Sequence, residues 1–235
     1  MSQFRIESAV YERAAGLTVG LITAKNIKNS HSSAEVVERL RKTEAEVRSR
    51  FASVEDVKNH PNIRAWQEIH RSFGSNPNKF PPSILALLKR VVQGKDLPTI
   101  NALVDLYNII SMQYVLPAGG EDLDRCRGDI RLGIANGDEH FKPLGGNEEE
   151  PPTLGEIIYR DDEGAICRKF NWREAERTCL NDKTTNAILV LEAVPPVTRE
   201  ALQEALDELQ TLVLKHCGGE ASIRLLDASK NFESL

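Results

Sequence analysis

GEIIYRDDEGAICRKFNWREAERTCLNDKTTNAILVLEAV, residues 155–194, is the stretch on which the reading of the fold turns. It opens with two strand-length runs, GEIIYRD (155–161) and GAICRKF (164–170), and the residues between them predict a hairpin turn. It ends in AILVLEAV (187–194), an apolar run of strand length closed by Pro195 and Pro196. Beyond it, Thr198 caps a helix to about His216 with Leu202, Leu206, Leu209 and Val213 on one face, and ASIRLLD (221–227) reads as a strand. Working back, residues 142–155 form a polar, Pro- and Gly-rich surface loop. DIRLGIA (129–135) is a strand, and VLPAGGEDLD (115–124) a turn-rich loop.

The first half reads differently. LPTINALVDLYNIISM (97–112) is a helix opened by Pro98 and Thr99, and SILALLKRVV (83–92) a largely buried one. SNPNKFPPS (75–83) is too rich in Pro and Asn to be regular, and a short helix covers about 63–73. Ser32 and Glu35 have capping-box spacing for a helix to about Phe51. FRIES (4–8) and LTVGLITA (17–24) are strand-like. Helices gather early and strands late, which favours an α+β fold over a repeating β-α-β chain.

Composition sets limits on function. The 235 residues hold 40% hydrophobic and 28% charged residues, an ordinary globular balance. No run approaches the ~18 apolar residues of a spanning helix. The opening MSQFRIESAVYERAAG has no basic stretch followed by an apolar core. The cysteines, Cys126, Cys167, Cys179 and Cys217, are scattered. The expectation is a cytosolic chain with reduced thiols. The net charge of −5 divides into +5 over residues 1–115 (16 basic, 11 acidic) and −10 over residues 116–235 (14 basic, 24 acidic). A protein gripping a long nucleic acid is usually basic overall, so DNA and membranes are not expected partners. A short single-stranded end needs only a few local cations.

Phosphate-loop, dinucleotide, zinc-protease and serine-elbow motifs are absent. His31, His60, His70, His140 and His216 share no ligand spacing, Asp138, Glu139 and His140 read as a solvated turn, and the acidic triplet at 148–150 as a solvated face. Neither a metal nor another cofactor is expected. Three segments stand out: SNPNKFPPS, LPAGGEDLD with Gly119 and Gly120, and FNWREAERTCLNDKTTNA (170–187). Together they suggest one site of backbone amides, hydroxyls and a carboxylate.

These residues carry a resemblance. LPTINALVDLYNIISMQYVLPAGGEDLDRCRGDI resembles the pattern R-P-I-N-N-x-V-D-x-T-N-Y-V-x-x-x-x-G-Q-P-L-H-A-F-D-x-D of the B3/B4 editing module in the β subunit of bacterial phenylalanyl-tRNA synthetase. Ile100, Asn101, Val104, Asp105 and Asn108 match, with Pro98 offset by one. ERTCLNDKTTNAILVLEA resembles that module's G-G-E-x-S-x-V-x-x-x-T-x-N-V-L-L-E segment through Glu176, Thr184 (or Thr185) and Asn186, with Glu192 offset by one. The S-N-P-N-K, L-P-x-G-G-E-D-L-D and N-W-R segments are similar to free-standing B3/B4 proteins. The resemblance covers about 70–230 of one domain spanning 1–235, with a strand and helix extension over about 1–60. It implies a layered sandwich of mixed β-sheets with helices on one side.

The resemblance also implies recognition of an aminoacylated tRNA 3′ end and its amino acid, with trans-editing hydrolysis of a mischarged ester. Two departures bear on the pocket: glycine stands near the family's P-L-H-A-F histidine, and Glu174 and Ala175 replace its G-G pair. Glu176, Gly119, Gly120, Thr184 and Asn186 are the expected catalytic or amino-acid-pocket residues, with Glu176 touching the substrate. Arg71, Lys79, Lys89 and Arg90 are the expected tRNA contacts. An activated ester asks little of such a site beyond placing a water and stabilising an oxyanion. A non-catalytic module that binds a tRNA end or an amino acid fits the same residues, as does an unrelated small-molecule enzyme on the same scaffold.

Overall fold

A computed structural model describes residues 2–235. Its strands are β1 (Gln3–Ile6), β2 (Thr18–Lys25), β3 (Ala118–Asp122), β4 (Ile130–Ile134), β5 (Ile157–Arg160), β6 (Ala165–Arg168), β7 (Arg173–Glu174), β8 (Ala187–Ala193), β9 (Glu220–Leu226) and β10 (Phe232–Ser234). Its helices are α1 (Ser8–Arg13), α2 (Ala34–Arg50), α3 (Val54–Asn59), α4 (Pro61–Ser72), α5 (Ser83–Val92), α6 (Ala102–Tyr114) and α7 (Arg199–Cys217). The strands form a six-stranded sheet, β10-β1-β4-β5-β6-β7, and a four-stranded sheet, β3-β8-β2-β9. The fold is α+β, as the order of elements implied.

The apolar run of β8 explains the layering. All seven of its residues are buried, which a strand achieves only with a layer on each face. Successive side chains point to opposite faces. Leu189 and Leu191 join a core with Leu40, Leu88, Leu106 and Leu209 of the helices. Ile188 and Val190 join a second core with Phe4, Ile6, Ile130 and Leu132 of the other sheet. Its neighbour β2 divides the same way, Ile22 and Ala24 toward the helices, Val19 and Leu21 toward the sheet. Helices, four-stranded sheet and six-stranded sheet therefore stack as three layers.

Three local readings are corrected. Segment 115–124 is not all loop: Ala118–Asp122 pairs antiparallel with β8 as an edge strand. Its glycines argue for a turn only until that partner is supplied. The helix expected from Leu97 starts at Ala102, because Asn101 is its cap and accepts a hydrogen bond from Val104 N at 3.1 Å. The cap of α2 is Ser33, not Ser32; Ser32 instead donates to Asp105 Oδ2 at 2.6 Å.

Asn101 is fully buried, and its Nδ2 also donates to the Leu180 carbonyl at 3.3 Å. It thereby joins the start of α6 to the chain leading into β8. Asn101→Ala removes a cap and leaves that carbonyl without its donor, so urea unfolding should show a loss of about 1–3 kcal/mol. A loss below ~0.5 kcal/mol would mean that neither hydrogen bond supports the helix.

Candidate functional site

β3 and β7 are the edges of their respective sheets, and the sheets part between them around a cavity of about 370 Å³. The register aims the side chains. Gly119 pairs with Val190 and Glu121 with Ile188, so all four share the face of the four-stranded sheet that looks toward the second sheet. Glu192 lies two residues beyond Val190, on the same face. Phe4, Ile130, Tyr159, Ile166, Cys167 and Glu174 close the cavity from the six-stranded sheet, and Leu87, Tyr107 and Asn108 from the helices.

The walls are mostly apolar, yet three carboxylates enter. Among the described residues none of Glu121, Glu174 and Glu192 has a salt-bridge partner. Glu121 is only 6% exposed, and its Oε2 has no hydrogen-bond partner. Burial, then the neighbouring charge of Glu174, pushes its carboxyl well above the usual range. Glu174 keeps partial solvent access through the cavity, and burial raises it to about 7 despite a 3.4 Å hydrogen bond from Gly120 N. Two such groups sharing one apolar space retain a proton between them near neutral pH. Glu192 is raised to about 7 by burial, opposed by Tyr159 Oη and Asn171 Nδ2, the latter at 2.6 Å. Asn171 Oδ1 also meets His70 Nε2 at 3.3 Å, and burial lowers that histidine to about 4.

Gly119 admits Glu174, and Gly120 admits Leu189. A Cβ at Gly119 would lie 2.9 Å from Glu174 Oε1, and one at Gly120 would lie 2.7 Å from Leu189 Cδ2. The Cys167 thiol is pushed up by burial, which keeps it protonated rather than nucleophilic. Among the described residues no group of three His, Cys, Asp or Glu side chains is placed to hold a metal. Among the described residues no helix is long and apolar enough to cross a membrane.

A family model described as the B3/4 domain matches residues 65–218, about two thirds of the chain. The chain belongs to the B3/4 domain family. A phenylalanine–tRNA ligase β subunit from Fusobacterium nucleatum subsp. nucleatum is 33% identical over 79 residues, which is 34% of this chain and 10% of that protein. An N-terminal fragment of the phenylalanyl-tRNA synthetase β subunit from Pyrococcus horikoshii superposes with a TM-score of 0.46 at 12% identity, over 93% of this chain and 49% of that one. The chain thus spans a small part of the curated relative and half of the solved one.

Within the B3/4 fold, the residues expected at the site are distributed unevenly. Gly119 and Gly120 line the cavity. Glu176 does not: it is exposed and pairs with Lys142 at 2.7 Å. The reason is the end of β7. Strand pairing stops at Glu174, Ala175 bridges to Pro143, and the chain then turns its next side chain to solvent. Thr184 donates to Asp122 Oδ2 at 2.7 Å, and Asn186 donates to both oxygens of Asp124 at 3.0 Å. They pin the end of β3 to the start of β8 and do not line the cavity. Arg71, Lys79, Lys89 and Arg90 are exposed on or before α5 and at the end of α4. Glu121 and Glu174 line the cavity and were not among the residues that sequence reading expected there. Glu121 lay in a presumed loop, and Glu174 stood where the related pattern has glycine.

The raised carboxylates oppose the fold as they ionise. A carboxyl near 4.5 unfolded and about 7 folded binds more protons in the native state, so stability falls as pH rises across that window. Glu174→Gln should therefore stabilise the protein at pH 8 by about 1–3 kcal/mol, with the gain gone by pH 4. Glu156 has the opposite sign. Burial raises it, but hydrogen bonds from Arg168 and then Lys169 outweigh this and hold it at about 2. Its contribution is complete above 4.5 and is lost as pH falls toward 2, so Glu156→Gln should cost about 3 kcal/mol at pH 7 and progressively less in acid. Chemical denaturation across pH reads both signs; a pH-independent Glu174→Gln effect would contradict the buried-charge assignment.

Proposed function

We propose that the cavity receives the aminoacyl group of an aminoacyl-tRNA 3′ end and promotes hydrolysis of its ester. The observation that carries this reading is the set of buried carboxylates without ion-pair partners, in a cavity that lies within the ~300–1,000 Å³ range of small-ligand sites. Such a space is costly to build unless a cation enters it. The α-ammonium of an aminoacyl group is that cation, held by Glu174 and Glu121, while its side chain packs on the apolar wall. Membership of the B3/4 family and the match to a phenylalanine–tRNA ligase β subunit support an RNA-linked amino-acid substrate.

The chemistry is within reach of these groups. Water adds to the ester carbonyl, the bond to the ribose oxygen breaks, and that oxygen leaves with a proton. Glu174, near 7, is partly ionised at neutral pH and suited to accept a proton from the water or to hold the ammonium. A neighbouring ribose hydroxyl can carry the other transfer. Gly119 and Gly120 bring backbone close to the substrate. Glu176, Thr184 and Asn186 support the loops around the cavity, and Arg71, Lys79, Lys89 and Arg90 contact phosphates outside it.

Deacylation of a panel of mischarged tRNAs tests the reading. The wild type should hydrolyse at least one of them. Glu174→Gln should lower kcat/KM about ten- to a hundred-fold, the loss of one charged hydrogen bond of roughly 1.5–3 kcal/mol, while Glu176→Gln stays within about two-fold. Binding of the aminoacyl-tRNA without turnover would overturn hydrolysis and leave a capture module. Equal effects of the two substitutions would remove Glu174 from the site.

A further inference from the structure

The mouth of the cavity has the opposite character to its floor. Trp172 lines the cavity and is half-buried, with Phe80 packed edge-on against it at 4.7 Å between ring centroids. The pair is fixed from beneath. Ser83 N donates to the Asn171 carbonyl at 2.9 Å, tying the SNPNKFPPS segment to the turn before β7 that carries Trp172. Lys169 Nζ lies 4.5 Å from the Phe80 centroid and is committed to Glu156 at 2.8 Å. Two other cations stand over these rings, Lys79 at 5.1 Å from Phe80 and Arg173 at 5.8 Å from Trp172. Neither has a carboxylate partner among the described residues; Arg173 donates only to the Leu144 carbonyl, at 3.3 Å.

We infer that Trp172, supported by Phe80, is the stacking platform for the terminal base of a single-stranded RNA 3′ end, with Lys79 and Arg173 on its phosphates. The inference rests on the proposed function and specifies how the nucleotide half of that substrate is held. Charge order along the entrance carries it. Unpaired carboxylates line the cavity, the half-buried ring of Trp172 and the unpaired Arg173 line it where solvent reaches, and the exposed Lys79 stands outside the lining over Phe80. A ligand complementary to that order has an ammonium at one end, a flat π-system next, and an anion beyond. An aminoacylated nucleotide has these parts in that sequence, whereas a free amino acid leaves the rim unused. Stacking on an aromatic side chain tolerates any base and needs no hydrogen-bond readout, and the flanking cations add attraction to phosphate.

The two tryptophans make the test direct. Trp66 is fully buried, so a base can quench only Trp172 by contact. The trinucleotide CCA, titrated into the full chain, should quench part of the fluorescence. Trp172→Leu should abolish the quenching and, followed by anisotropy of labelled CCA, weaken binding by about ten-fold or more. Arg173→Gln and Lys79→Gln should weaken it less and flatten its salt dependence. Circular dichroism establishes that each variant is folded, and Trp172→Phe, which keeps a ring, should retain most of the affinity. Absence of CCA binding to the wild type, or CCA affinity unchanged in Trp172→Leu, overturns the platform. Ester turnover is read separately: Trp172→Leu that hydrolyses aminoacyl-tRNA with unchanged KM refutes the platform and spares the proposed function. Quenching by CCA without any turnover sustains the platform and refutes hydrolysis.

Discussion

The carboxylate of Glu156 holds the part of the chain on which the site depends. It accepts hydrogen bonds from Arg168 Nε at 3.0 Å, from Lys169 N at 2.9 Å and from Lys169 Nζ at 2.8 Å, and is itself buried. Lys169 and Phe170 both occupy the left-handed region, with φ of 50° and 66°. Neither is glycine, so each residue carries strain of about 1–2 kcal/mol that its surroundings must offset. Those surroundings are the Glu156 cluster on one side and the Phe170 ring on the other, fully buried and edge-on to Trp66 at 5.0 Å. The turn sends Asn171 to Glu192 and Trp172 to the cavity mouth. Without Glu156, Arg168 and Lys169 would be buried positive charges with no counter-ion, and the turn would lose its anchor.

Much of the fold could be read from local pattern because local pattern is what burial leaves behind. β8 is apolar throughout because both its faces are covered, and α5 was legible from Ser83 to Val92 because one face of it is apolar. The elements missed were those with little pattern to show: α1 and α3, six residues each, and β7 and β10, with two and three. β3 was missed for a different reason. Its glycine pair, preceded by Pro117, has turn chemistry, and only pairing with a strand some seventy residues away makes it extended. The site suffered most, since Glu121 is defined by that pairing and Glu174 by the point at which β7 stops.

The residues matched to the synthetase pattern mostly build the frame rather than touch the cavity. Asn101 caps α6, Asp105 accepts from Ser32 and from Ile100 N, and Thr184 and Asn186 secure the loop after β3. Of the residues matched to the synthetase pattern only Asn108 and Glu192 reach the lining, whereas the segments similar to free-standing B3/B4 proteins bring Gly119, Gly120, Glu121, Trp172 and Arg173 to it. That pattern therefore reports mainly how the cavity is held open, while two of the buried carboxylates, Glu121 and Glu174, stand at positions it does not match. Raised by burial, those two carboxylates oppose the fold as they ionise.

The central position of β2 has a consequence for how the protein is made. Its partners are β8, which follows by more than a hundred and sixty residues, and β9, which follows β8. During synthesis the apolar strand of residues 18–25 leaves the ribosome long before either neighbour exists, with both edges and both faces unsatisfied. Helices α2 to α6 can form locally in that interval, but the sheet they cover cannot close until almost the whole chain has emerged. Folding is then governed by long-range strand pairing, which is slow and exposes aggregation-prone edges. The layer that gives the native state its deepest burial is thus the last to be completed.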